Sequence, residues 1–126
     1  KQNKLQNKIK VLNFQKNPYK FIKKSDVFVL TSKFEGLPNV LMESLVLKKF
    51  IISSNCPTGP REILNNGKYG FLLETQNYKK LSELILKYAK NQNKFKNKIN
   101  HGYKSLSRFD FELNCKKYYN VVSQFI

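Results

Sequence analysis

A chain of 126 residues, 40% of them hydrophobic, has enough apolar matter for one core and forms one domain or a piece of one. No run reaches the ~18 apolar residues of a membrane-crossing helix, and the start, Lys1-Gln2-Asn3-Lys4, has neither an initiator Met nor an apolar stretch of signal-peptide type, so the chain is expected to begin inside a longer protein. The formal charge of +16 points either to an anionic partner or to compositional bias, and Lys supplies 22 of the 24 basic residues, with Asn also abundant. A genome poor in G and C favours both residue types. A dedicated nucleic-acid reader draws instead on the planar fork of Arg, so the expectation is bias plus attraction to an anionic membrane surface, and no nucleic acid.

Leu5 and Ile9 have helical spacing and read as the tail of a helix; Lys10 to Phe14 alternates and reads as a short strand. Asn17-Pro18 is a turn with Pro at a helix start, and Tyr19, Phe21 and Ile22 give a short helix ended by Ser25-Asp26. Val27-Phe28-Val29-Leu30 is an unbroken apolar run of strand formers, as in a strand buried in a parallel sheet. Pro38 to Leu47 reads as a helix and Phe50 to Ser54 as a second buried strand, which completes a βαβ unit. After the turn-rich loop Asn55 to Pro60 come a short helix over Arg61 to Leu64, a third strand within Tyr69 to Leu73, and a helix from Tyr78 whose face holds Leu81, Leu84, Ile85, Tyr88 and Ala89. Asn91 to Asn100 reads as a polar linker or exposed helix, and residues 107–126 as a closing helix. Phe28, Phe50, Phe71, Tyr118 and Tyr119 fall at core-like positions. The class is α/β with a Rossmann-like parallel sheet, the whole chain being one partial domain.

Cys56 and Cys115 lack metal-ligand spacing and are expected to be small packing residues in a reducing compartment; His101 is the only histidine, and no metal site is expected.

The chemistry concentrates between Thr31 and Leu47. Ligands of parallel α/β sheets bind at the carboxyl ends of the strands, where Thr31 to Leu37 and Asn55 to Pro60 form the loops. Gly lets a backbone approach a ligand closely, and the helix start at Leu37-Pro38-Asn39-Val40 offers free N–H groups to a phosphate. Six of the eight residues from Val40 to Leu47 are apolar, which implies a helix buried almost all round with Glu43 inside it. A buried carboxylate needs partners, and either a basic side chain or a pair of ribose hydroxyls serves. Glu35, before the helix and with seven residues between it and Glu43, would face another part of the same ligand about two turns away.

Phe34-Glu35-Gly36-Leu37-Pro38-Asn39-Val40-Leu41-Met42-Glu43-Ser44-Leu45 resembles the glutamate, seven residues, glutamate signature of family 4 retaining glycosyltransferases, which have the two-domain GT-B fold. Asn17-Pro18-Tyr19 through Ser32 is similar to the segment leading into that signature, and Pro57 to Leu64 with Asn66 to Leu72 to the segment following it; Ser107 to Asp110 is similar, more loosely, to the entrance of the family's closing helix. The resemblance implies a C-terminal donor-binding domain. Glu43 would hold the ribose hydroxyls of a UDP- or GDP-sugar, and Glu35, the one catalytic candidate, would contact the donor sugar, with no nucleophile assigned. The backbone from Gly36 through Leu37, Pro38 and Asn39 to Val40 would touch sugar and diphosphate, while Thr58 and Gly59 line the nucleotide side. Arg61 would cap or lie at the surface, and Glu62 would pack structurally. No metal or other cofactor is implied. The acceptor would be a glycan or a lipid-linked glycan, and the location cytoplasmic, peripheral on the inner face of the membrane.

The family's basic residues that grip the diphosphate come from upstream strands and are not in this chain, nor is an acceptor domain, so the fragment alone is expected to be inactive. The alternative is a basic, non-catalytic Rossmann-like module that holds nucleic acid or a protein partner; it requires Arg or aromatic residues on an exposed strand face. An epimerase of GT-B shape would need a His-rich site that this sequence lacks.

Overall fold

A computed structural model describes residues 5–125; Lys1 to Lys4 and Ile126, which enter the expectations for the chain's start and its closing helix, lie outside the described residues. Three strands, β1 (Val27–Leu30), β2 (Phe50–Ser54) and β3 (Phe71–Leu73), form one parallel sheet in the order β1-β2-β3, with Val27 opposite Phe50 and Ile52 opposite Phe71. Parallel neighbours need crossovers, and these are α2 (Asn39–Val46) between β1 and β2, and a loop with the short α3 (Pro60–Ile63) between β2 and β3. Around them lie α1 (Tyr19–Lys24), α4 (Tyr78–Lys90), α5 (Lys96–Lys104) and α6 (Phe111–Val122). The class is therefore α/β and Rossmann-like, as the alternating strand and helix patterns imply.

The central strand β2 is buried along its whole length, and its alternating side chains divide the core into two faces. Ile51 joins Leu41 and Leu45 of α2 with Ile63 and Leu64 of the α3 turn in an aliphatic cluster. Phe50 and Ile52 point the other way, to Leu73, Leu84 and Tyr88, with Phe71 and Phe95 packed alongside. Phe50 stacks on Tyr88 at 4.4 Å between ring centroids and meets Phe71 edge-on at 5.0 Å. On the aliphatic face α5 crosses close to α2: a Cβ on Gly102 would stand 2.7 Å from Leu45 Cδ2 and 3.1 Å from Tyr69 Cβ.

Several expectations need correction. Lys10 to Phe14 forms no strand, and Phe14 is 90% exposed; a strand needs a neighbour to take its hydrogen bonds, and among the described residues β1 pairs only with β2. Leu5 to Ile9 is a 3-10 turn over Gln6–Lys8 rather than the end of an α-helix. Asn91 to Asn100 is a 3-10 turn (Gln92–Phe95) running into α5, and its Phe95 closes the aromatic cluster. There Lys98 donates to Lys68 O at 2.9 Å, and burial together with the charge of Lys87 lowers its pKa. Ala89 faces solvent, one position beyond the apolar stripe of α4. α6 contributes no buried residue: Tyr118 and Tyr119 are 75% and 71% exposed, not core, and Cys115 is exposed while Cys56 is buried. Helical spacing identified α6 correctly, but its apolar side chains find no second layer among the described residues.

Candidate functional site

At the carboxyl end of β1 the chain runs through Thr31 to Pro38 into α2, and the loop after β2 lies against it. Three contacts fix the pair. Ser54 Oγ, buried at the end of β2, donates to Ser32 O at 2.6 Å. Thr58 Oγ1 donates to Glu35 O. Gly59 has φ of 85° and sits so near the first loop that a Cβ there would collide with Gly36 O and Pro38 Cδ. Only glycine meets both demands, the left-handed backbone and the close approach. Sequence reading placed Thr58 and Gly59 on the ligand side; the structure gives them this bracing role, with Gly59 buried beneath the loop and Thr58 exposed.

Gly36 differs. Beyond its chain neighbours, no heavy atom of the described residues lies within 4 Å of where its Cβ would stand. Next to this opening, buried Pro38 leads into α2, no side chain caps the first turn, and Asn39 and half-buried Val40 occupy it. The first N–H groups of a helix have no intrahelical acceptor and favour an anion. Leu37 is exposed beside them.

The two glutamates stand on either side of this opening in the sequence. Glu35 is half-buried in the loop, and its backbone rather than its side chain takes the bracing hydrogen bond. Glu43 is also half-buried, which corrects the expectation of full burial: Val46, one helical turn on, is 55% exposed, so α2 has an open side that its composition conceals. Among the described residues the partner of Glu43 is neither Lys nor Arg but Tyr19, whose hydroxyl donates to Oε1 at 3.4 Å. Tyr19, Glu43, Val46 and Leu47 line a groove of about 400 Å³ between α1 and α2.

Sequence reading missed Tyr19 because it stood as a helix-face residue 24 positions from its partner. It also missed Arg108, which donates from Nη1 to Glu62 O at 3.3 Å and from Nη2 to Ile63 O at 3.0 Å, satisfying the carbonyl end of α3. The Glu62 side chain is exposed and does not pack as expected; Arg61, also exposed, donates from Nε to Asn55 Oδ1 at 3.2 Å. Neither Lys nor Arg side chain forms an ion pair with Glu35 or Glu43 among the described residues.

A loop open at Gly36 beside an uncapped helix start, at the carboxyl end of a parallel sheet, can receive an anionic group at the first turn of α2. Residues 1–105 match the family described as "Glycosyl transferases group 1", and the chain belongs to that family. It is 33% identical, over 90% of its length, to an uncharacterized glycosyltransferase of Methanocaldococcus jannaschii, of which it covers 35%. It is 30% identical, again over 90% of its length, to the N-acetylgalactosamine-N,N'-diacetylbacillosaminyl-diphospho-undecaprenol 4-alpha-N-acetylgalactosaminyltransferase of Campylobacter jejuni, covering 32% of it. A probable sucrose-phosphate synthase of Thermosipho melanesiensis is 32% identical over 78% of the chain. The chain thus spans about a third of the length of the first two relatives.

Proposed function

We propose that the protein containing this chain transfers a sugar, of hexosyl type, from a UDP- or GDP-sugar to a glycan or lipid-linked acceptor with retention of anomeric configuration, and that this chain holds the donor. The observation that carries the reading is the opening at Gly36 next to the uncapped start of α2, with half-buried Glu35 before it and half-buried Glu43 on the helix after it. The diphosphate and sugar lie over the backbone of Gly36 to Val40, where amide N–H groups meet negative charge at no cost in ordering a flexible cation. Glu43 accepts from the ribose hydroxyls, and Glu35 from hydroxyls of the donor sugar next to the reacting carbon. Helix dipole and amides take the part that a divalent cation plays elsewhere, so transfer is metal-independent. The fragment alone is inactive, since acceptor contacts come from outside it.

A lipid-linked acceptor is supported by the name of the Campylobacter jejuni relative, which places its own acceptor on diphospho-undecaprenol. Work at the cytoplasmic face of a bilayer suits the lysine excess, each Lys near an anionic surface contributing roughly 1 kcal/mol. No helix among the described residues is long and apolar enough to cross a membrane. A test of the donor site is titration of UDP and of GDP against the intact protein and its Glu43→Ala variant. Affinity for the nucleotide that binds is expected to fall at least about ten-fold, the scale of a lost charged hydrogen bond. Equal affinity in wild type and variant overturns the ribose assignment.

A further inference from the structure

The hydroxyl of Tyr19 against Glu43 has no part in the donor chemistry described so far. Tyr19 opens α1, where Asn17 Oδ1 accepts its backbone N–H at 3.1 Å. α1 is in turn anchored by buried Ile22 and by Lys49 Nζ, which donates to Lys23 O at 2.6 Å. The ring of Tyr19 is therefore presented from a helix tied down at both ends, and it forms one wall of the groove that Glu43, Val46 and Leu47 complete. Its hydrogen bond engages Glu43 Oε1, whereas Oε2 has no hydrogen-bond partner among the described residues.

A Glu side chain has three rotatable bonds, and at a half-exposed position it samples several rotamers. One fixed donor on one oxygen removes much of that freedom and leaves the carboxylate plane set for a pair of vicinal hydroxyls. A groove of about 400 Å³, apolar on the Val46 and Leu47 side and polar at the carboxylate, is large enough for a nucleoside. We infer that Tyr19 is a positioning residue for Glu43, holding its carboxylate for bidentate acceptance from the ribose and thereby setting the preference for a ribonucleotide over a deoxyribonucleotide donor. The inference rests on the assignment of Glu43 to the ribose.

The test uses the intact protein and four forms: wild type, Tyr19→Phe, Glu43→Gln and the double variant. Each is titrated with whichever of UDP and GDP binds wild type, and with its 2′-deoxy counterpart. Tyr19→Phe keeps the ring and removes only the donor, so it is expected to weaken the ribonucleotide about five-fold, to leave the deoxy form nearly unchanged, and to add little loss on top of Glu43→Gln. A purely structural tyrosine would weaken both nucleotides alike; that result, or full additivity with Glu43→Gln, overturns the inference. If Glu43→Gln leaves binding of the ribonucleotide unchanged, the ribose assignment fails and the role of Tyr19 fails with it. If Glu43→Gln weakens binding and Tyr19→Phe does not, the assignment stands and the positioning role alone falls.

Discussion

The two faces of β2 are built on opposite plans. One is aromatic: Phe50 stacks on Tyr88 and meets Phe71 and Phe95 within 5.0 Å, so a few large rings fill the space between the sheet and α4. The other is aliphatic, with α2 at its centre and α5 let in close by Gly102. Every candidate ligand group from Gly36 to Glu43 lies on α2 or the loop before it. Aliphatic side chains and glycines permit short spacings between backbones, and short spacings set where a helix start points. Rings bury large areas from a few positions. The aromatic face thus carries none of the ligand groups from Gly36 to Glu43, and the aliphatic face holds the helix that does.

Breaking the aromatic face should give the largest effect. Phe50→Ala empties the ring position shared by three neighbours and is expected to cost about 3–5 kcal/mol in denaturant unfolding. Where the variant remains folded, nucleoside diphosphate affinity should be close to wild type; a parallel collapse of affinity would show that the faces are not separable. Gly59→Ala tests the other plan. It costs strain from the positive φ, about 1–3 kcal/mol, and also drives the two loops apart, so a loss of nucleotide affinity of about ten-fold is expected. Gly67→Ala is its control: φ is again 85°, but the nearest atom to the new Cβ is 3.8 Å away, so strain appears without loss of binding.

The smallest effect at neutral pH belongs to Tyr88. Burial, with a contribution from the charge of Asp26, raises its pKa above the usual value of about 10. The folded state holds this proton more tightly than the unfolded state does. The resulting stability is fully present below the unfolded pKa and is lost as pH rises through the folded one. Unfolding free energies of wild type and Tyr88→Phe, compared from about pH 8 to about pH 11, should converge or cross as wild type loses this contribution and the variant does not. A difference constant with pH would show that the hydroxyl does not titrate against the fold.

How much of this was legible in the sequence follows from what each signal reports. Val27 to Leu30 and Phe50 to Ser54 were readable because buried parallel strands are apolar without alternation, and the helix between them because the crossover has to exist. Lys10 to Phe14 carries strand alternation but forms no strand, since pairing depends on a neighbour that local pattern cannot supply. Tyr118 and Tyr119 have core-like spacing on α6, yet burial depends on what faces a helix, and there they are open. The openness of Glu43 was hidden for the same reason: an apolar composition does not say which side of α2 is covered. At the candidate site, Gly36, Pro38 and both glutamates were singled out by residue chemistry, and the structure shows where they lie. The contact of Gly59 with Gly36 and that of Tyr19 with Glu43 join separate segments and leave no trace in either one alone.

The bracing of the Thr31 to Pro38 loop has one more consequence. Ser54 and Thr58 hold it by the carbonyls of Ser32 and Glu35, and Gly59 abuts the carbonyl of Gly36, so, the Pro38 ring apart, the anchoring contacts fall on main-chain atoms. Every residue type has the same carbonyl. The side chains at Lys33, Phe34 and Leu37, all exposed, can therefore be exchanged without releasing the loop. The scaffold works like a socket whose fittings are interchangeable: one backbone path can present different side chains at these positions while the fold beneath stays as it is.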